Sequence, residues 1–110
     1  MLIKQTSDVP LESVQDGIGL RWLIAEADGA PNFAMRVVEI QPGITFEPHQ
    51  HAYEHEIYVL EGHGMLLNAA GEIAATMKPG NALLVPPDEV HGYRNPGDTT
   101  LKFICVIPLQ

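Results

Sequence analysis

Three histidines crowd one short segment, His49-Gln50-His51-Ala52-Tyr53-Glu54-His55-Glu56, and a fourth, His91, follows in Pro86-Pro87-Asp88-Glu89-Val90-His91. Imidazole is the commonest side-chain ligand for a transition metal. On a strand, residues two apart share a face, so His49 and His51 would aim both rings the same way. His91 would have to join them from a different strand, leaving the fold to set the geometry. Four neutral imidazoles leave a divalent metal its full charge. Such a centre attracts anionic or enolisable ligands and lowers the pKa of bound water. The ligand set suits Fe, Mn, Ni, Cu and Zn alike.

The elements that must carry these residues are strands. From Gly19 onward, short runs of β-branched and aromatic residues are broken by turn residues about every 8 to 12 positions, the pattern of an all-β sandwich or small barrel. The expected strands are Gly19–Ala25, Phe33–Ile40, Thr45–Pro48, His55–Glu61, Gly64–Asn68, Glu72–Met77, Ala82–Val85, His91–Arg94 and Thr100–Ile107. Between them lie Asp28-Gly29, Gln41-Pro42-Gly43, Ala70-Gly71, Lys78-Pro79-Gly80, Pro86-Pro87-Asp88 and Asn95-Pro96-Gly97-Asp98. No segment reads as an amphipathic helix, and there is no repeat or linker. Residues 1–17 carry few strand signals and read as an arm laid over the barrel or over a neighbouring subunit.

Both histidine segments resemble the paired motifs of the cupin superfamily. The first family motif, G-x5-H-x-H-x3,4-E-x6-G, is matched from Gly43 through His49 and His51 to Gly62. The second, G-x5-P-x-G-x2-H-x3-N, is matched by Gly80, Pro86, His91 and Asn95, with Asp88 where the family has its second glycine. The motifs, at 43–62 and 80–95, span about half the chain. The resemblance implies one cupin domain over residues 1–110, a jelly-roll β-barrel of the double-stranded β-helix kind. It also implies one divalent metal per chain, Mn or Fe before Zn, Ni or Cu.

One position is ambiguous. Counting forward from His51, the motif's glutamate falls on Glu56; counting back from Gly62, its slot falls on His55. Neighbours on a strand face opposite ways. The two sets, His55 with Ile57 and Val59 and Glu56 with Tyr58 and Leu60, are both largely apolar. Alternation therefore leaves both open. The segment is similar to a subset of small single-domain cupins whose third ligand is also histidine, which implies the set His49, His51, His55 and His91, with Glu56 the alternative. Partners orienting these rings are expected among backbone carbonyls or carboxylates such as Glu47 or Glu54.

Strand parity nominates the surroundings. If Glu39 faces water, Arg36 faces inward with Ala34, Val38 and Ile40. An inward arginine needs a partner, either a substrate carboxylate or phenolate beside the metal or a structural ion pair. On the last strand an outward Lys102 turns Leu101, Phe103, Cys105 and Ile107 inward. The resemblance implies that Phe103, Cys105, Ile107 and Val38 form pocket wall, while a buried free cysteine also suits plain core. Trp22 reads as core or interface, Tyr53 as a turn residue near the pocket mouth, and His63 as an exposed turn histidine. Asn95 should fix the turn after the second motif.

The formal net charge of −8, with only 6 Lys and Arg, provides no basic stripe for a nucleic acid. No apolar run reaches the roughly 18 residues of a membrane span. Met1-Leu2-Ile3-Lys4-Gln5-Thr6-Ser7-Asp8 has no apolar signal core, and the one cysteine, Cys105, forms no internal disulfide. A cytoplasmic protein is expected. The leading functional expectation is a metal-dependent, dioxygenase-like oxidoreductase acting on a small organic molecule. The alternatives are a metal-dependent sugar or keto-acid isomerase or lyase, and a non-catalytic small-ligand binder. The N-terminal arm and the outward Tyr58 and Leu60 point to a homodimer.

Overall fold

Inward residues alternate with outward ones along β10 (Leu101–Pro108), the strand on which the molecule is centred. Leu101, Phe103, Cys105 and Ile107 are buried, while the residues between them are half-buried on the outer face. That period of two is what a strand with one face on a core requires. The computed structural model describes all residues, 1–110. It places β10 between β3 (Phe33–Ile40) and β5 (His55–Glu61), both antiparallel to it.

Around this centre a six-stranded sheet runs in the order β1-β2-β3-β10-β5-β8, with β1 at Glu12–Gln15, β2 at Ile18–Ile24 and β8 at Ala82–Val85. A four-stranded sheet runs β4-β9-β6-β7, formed by Thr45–His49, His91–Arg94, Gly64–Leu67 and Ile73–Met77. All the pairings are antiparallel, and one apolar core draws side chains from both sheets, among them Ile40, Val59, Phe103, Met77 and Tyr93. The all-β jelly roll expected from the sequence is the fold. It is built as two facing sheets. Two three-residue 3-10 turns, Thr6–Asp8 and Glu26–Asp28, are the whole helical content, and no helix is long and apolar enough to cross a membrane.

Four of the nine expected strands, Phe33–Ile40, His55–Glu61, Ala82–Val85 and His91–Arg94, match the structure residue for residue, and the other five match within one residue at each end. The N-terminal arm holds one more. Glu12–Gln15 pairs with β2 despite a sequence poor in strand formers, because β2 offers an open edge. Just before it, Lys4 reaches Asp28 at 2.8 Å and Leu11 packs over Gly19.

This arm overturns one expectation. Glu39 does not face water: it is 8% exposed, and its carboxylate takes the Arg21 Nε–H at 2.7 Å. Arg21 also donates to the Val9 carbonyl at 2.6 Å, which ties the arm across the outer face of β2 and β3. Parity placed Glu39 on the outer face, as observed. What it omitted was a second layer of chain on that face.

Gly92 sets the approach of β4 to β9. A Cβ there would lie 2.6 Å from the Phe46 carbonyl oxygen, so only glycine lets the two backbones meet this closely. The β4–β9 register shifts between Phe46 and His49, and the shift sets His49 directly opposite His91.

Candidate metal centre

That cross-strand pair brings the His49 and His91 rings to 4.5 Å between centroids. His51 lies just past the end of β4, outside the strand, and its ring still turns to within 4.9 Å of His49. The ligand-capable nitrogens of His49, His51 and His91 all lie within 4.8 Å of one another. Residues 40 positions apart thus converge on one point from two strands and a loop.

Two of these rings are oriented by the same device. His49 Nδ1 lies 2.9 Å from the Glu47 carbonyl oxygen, and His91 Nδ1 lies 2.8 Å from that of Glu89. A carbonyl only accepts, so Nδ1 carries the proton in both rings and Nε2 presents a lone pair. Backbone carbonyls were among the expected orienting partners. The Glu54 side chain is not involved, and the Glu47 residue serves through its main chain.

His55 begins β5 and faces inward, 5% exposed, whereas Glu56 points to the outer side and is exposed. The glutamate alternative is therefore on the wrong face. The His55 ring lies 4.8 Å from His51 and 5.3 Å from His91 by centroids, at the edge of the cluster. Its Nδ1 meets the Cys105 sulfur at 3.1 Å, and its Nε2 is buried without a partner, as is Nε2 of His91. Tyr53, read from the sequence as a turn residue, is in the turn. Its ring stacks on His51 at 4.9 Å and 12°, and on His55 at 5.5 Å and 16°. Phe46 stacks similarly on His49 at 4.4 Å and 21°. His63 lies in its turn, exposed and away from the cluster.

Burial favours the neutral form of His51, His55 and His91. Loss of solvent, reinforced by His51 and then Arg36, pushes His55 down to about 3. His51 is lowered by desolvation and by His49 and His91, and His91 is lowered mainly by desolvation. Neutral imidazole is the ligating form. Burial also pushes the Cys105 thiol up, although the Arg36 guanidinium pulls the other way.

His49, His51 and His55 open onto a cavity of about 160 Å³. Its apolar wall includes Val38, Phe103 and Cys105, together with Leu20, Phe46 and Tyr93. Ile107 is buried farther along β10 and does not line it. Tyr93 was findable, since it sits two residues from His91 on the same strand face. Phe46 was not, because the irregularity between Phe46 and His49 defeats simple alternation. Val14 lines the rim from β1, the strand the sequence did not announce.

Arg36 completes the wall. Its guanidinium lies 5.3 Å over the Trp22 ring, its Nη2 donates to the Cys105 sulfur at 3.1 Å, and its Nε is buried without a partner. No carboxylate neutralises it in a salt bridge. A desolvated guanidinium with a spare donor, facing an apolar cavity, suits an anionic or phenolic oxygen.

A two-sheet jelly roll with histidines gathered from two spaced motifs is the architecture of the cupins, and this chain belongs to that family: its Cupin_2 (Cupin domain) model matches residues 36–107. Among solved structures the chain is similar to the polyketide cyclase RemF from Streptomyces resistomycificus. The two share 34% identity and a TM-score of 0.92 over 100% of this chain and 80% of that one. It is also similar to the 1-methylthio-D-xylulose 5-phosphate methylsulfurylase of Rhodospirillum rubrum, 32% identical over 94% of this chain. A third relative is the mannose-1-phosphate guanylyltransferase RfbM of Salmonella typhimurium, 33% identical over 70% of this chain. This chain spans 62% of the length of the methylsulfurylase and 16% of that of the guanylyltransferase.

Proposed function

We propose that this cupin is a metal-dependent enzyme that activates a small enolisable or phenolic molecule, with ring closure of the polyketide-cyclase type the leading reaction. The observation that carries the reading is the junction of the histidine cluster with the unpaired Arg36 in one apolar cavity. The donor set fits a divalent cation. Two Nδ1 atoms are pinned by carbonyls, two Nε2 atoms are buried and free, and burial favours the neutral form of His51, His55 and His91. His49, His51, His55 and His91 would hold one ion, Mn or Fe by family resemblance, with Zn, Ni and Cu compatible with imidazole ligands. When bound, the ion supplies Lewis acidity that polarises a carbonyl and stabilises its enolate.

The protein's own residues do the rest. Arg36 binds the second oxygen of the substrate and orients it against the Phe103 and Val38 walls. The apolar lining excludes water, which strengthens that contact and protects a reactive enolate from side reactions. RemF, similar to this chain over its whole length, is a polyketide cyclase, which favours carbon–carbon bond formation over other fates of an enolate.

Oxygenation of the same enolate by a dioxygenase-like reaction is the second reading, favoured by the cavity's apolar wall and the lack of a lining carboxylate. That same lack weighs against a sugar isomerase or lyase, which wants a general base within reach of its substrate. One experiment separates the readings: metal-loaded protein is incubated with a poly-β-keto model compound with and without dioxygen. Cyclised product formed anaerobically supports the first. Turnover that needs dioxygen and consumes it stoichiometrically replaces it with the second. Arg36→Met should weaken binding of an anionic β-diketone roughly 10-fold or more, and Arg36→Lys should not restore it, because the flat fork stacked on Trp22 is lost.

A homodimer is proposed as well. Tyr58, Leu60, Leu84 and Met35 are exposed on the outer face of the six-stranded sheet, an apolar surface that a second copy would cover. Light scattering gives the mass directly, and a monomer at micromolar concentration would remove this proposal.

A further inference from the structure

His55 lacks the device that orients His49 and His91. Those rings each give Nδ1–H to a carbonyl two residues earlier, so their tautomer is fixed by the main chain. At His55 the partner is a thiol, 3.1 Å from Nδ1. A thiol is ambivalent, since sulfur accepts weakly and S–H donates weakly. Were the thiol to donate to Nδ1, Nε2 would carry the proton. An N–H would then point into the cluster where a cation needs a lone pair.

The sulfur has a second neighbour. Cys105 stands in register with Arg36 across the β10–β3 ladder, and Arg36 Nη2 reaches Sγ at 3.1 Å. A guanidinium has no acceptor, so in that contact the sulfur accepts. Arg36 thereby occupies one sulfur lone pair and leaves another free to accept the His55 Nδ1–H, with Arg36 on one side of the sulfur and His55 on the other. The row is itself fixed by the fold, because Trp22, Arg36, Cys105 and Ile57 lie side by side on β2, β3, β10 and β5.

We infer that Cys105 is the positioning residue of His55: its sulfur accepts the Nδ1–H, fixes the ring in the tautomer that turns Nε2 toward the other histidines, and is held in place by Arg36. The thiol replaces the carbonyl used by His49 and His91. It also couples the fourth histidine to the arginine that faces the substrate. This rests on the four-histidine reading above, and the test keeps the two apart.

The experiment is a long-range proton–nitrogen correlation spectrum of the metal-free protein, which reads the His55 tautomer, together with a zinc titration. Wild type, Cys105→Ser, Cys105→Ala and His55→Gln are compared. The wild-type ring should show the proton on Nδ1. Cys105→Ala should lose that bias and weaken zinc binding about 10- to 100-fold, as loss of an outer partner does. Serine, an acceptor of similar shape, should restore both to within a few-fold. A proton on Nε2 in wild type overturns the inference, even if no variant folds. So does an alanine variant unchanged in tautomer and affinity. If His55→Gln binds zinc as tightly as wild type, the four-histidine reading fails, while the tautomer still judges the Cys105 contact by itself.

Discussion

His49 and His91 stand opposite each other in the β4–β9 ladder, with ring centroids 4.5 Å apart and each Nδ1 on a backbone carbonyl. The pair is fixed before any ligand arrives, by main-chain register and main-chain hydrogen bonds. Preorganisation of this kind lowers the ordering cost of binding a metal.

It follows that His91→Ala should abolish stoichiometric metal binding while the protein stays folded. The affinity should fall by more than about 100-fold, beyond the usual cost of losing an outer-shell partner. The metal-free variant should melt within a few degrees of metal-free wild type, because the core around Phe103 and Met77 is untouched. Elemental analysis of protein purified without a metal column, with thermal denaturation alongside, checks both parts. Full metal content in the variant would remove His91 from the site.

A second expectation concerns acid. His55 is held at about 3 in the folded chain, chiefly by desolvation, against about 6.5 for an exposed imidazole. The unfolded chain then binds a proton that the folded chain refuses. Its contribution to stability is fully present above pH 6.5 and is lost as pH falls from there toward 3. His51 and His91 act in the same direction. Urea denaturation of metal-free protein between pH 7 and pH 4.5 should show stability falling with pH. His55→Gln, which does not titrate, should flatten that slope, and equal slopes would refute the assignment.

Much of this could be read in the chain itself, for a physical reason. Turn residues and period-two alternation are local, and the strands they delimit emerged nearly residue for residue, as at His55–Glu61 and His91–Arg94. The histidines were visible because two spaced motifs carried them. What stayed hidden depends on contacts distant in sequence. Glu39 is buried because the arm crosses it, and β1 forms because β2 has a free edge. Cys105 touches both Arg36 and His55 only because β10 runs between β3 and β5, an order that no local pattern encodes. His55 and Glu56 were separable only once the inner face of β5 was known.

Asn95 provides a stability test away from the chemistry. It is 0% exposed, and Nδ2 donates to the carbonyls of Ile40 and Thr99, each at 2.8 Å, while Oδ1 takes the Gly97 N–H at 3.0 Å. Its main chain also pairs with Gly43 and Ile44, so one residue joins the second motif to the start of the first. Asn95→Leu keeps the branched heavy-atom skeleton, though with bulkier methyl groups, and orphans these partners, at roughly 1–3 kcal/mol for each one left dry. A loss of at least about 3 kcal/mol is expected, read as an earlier denaturant midpoint at unchanged slope. A loss under about 1 kcal/mol would mean that water reaches the site.

Asp88 occupies the place where the cupin motif has glycine, and its backbone explains the family's choice. It is the one non-glycine residue with positive φ, at 65°, in the left-handed region that most side chains avoid at a cost of about 1–2 kcal/mol. Aspartate tolerates this conformation better than most. The turn also bears on the histidine cluster, because the Asp88 N–H donates to the His51 carbonyl at 2.7 Å and so joins the loop carrying His51 to the second motif. Asp88→Gly relieves the strain but adds freedom to the unfolded chain, so the two effects oppose and stability should change by under about 1 kcal/mol. Asp88→Val has no such offset, since a β-branched residue at positive φ is strained. It should cost about 2 kcal/mol and, by loosening His51, weaken zinc binding as well. The glycine variant should bind zinc like wild type. A valine variant that lost stability but kept wild-type zinc affinity would show that the Asp88–His51 hydrogen bond does not position the ligand.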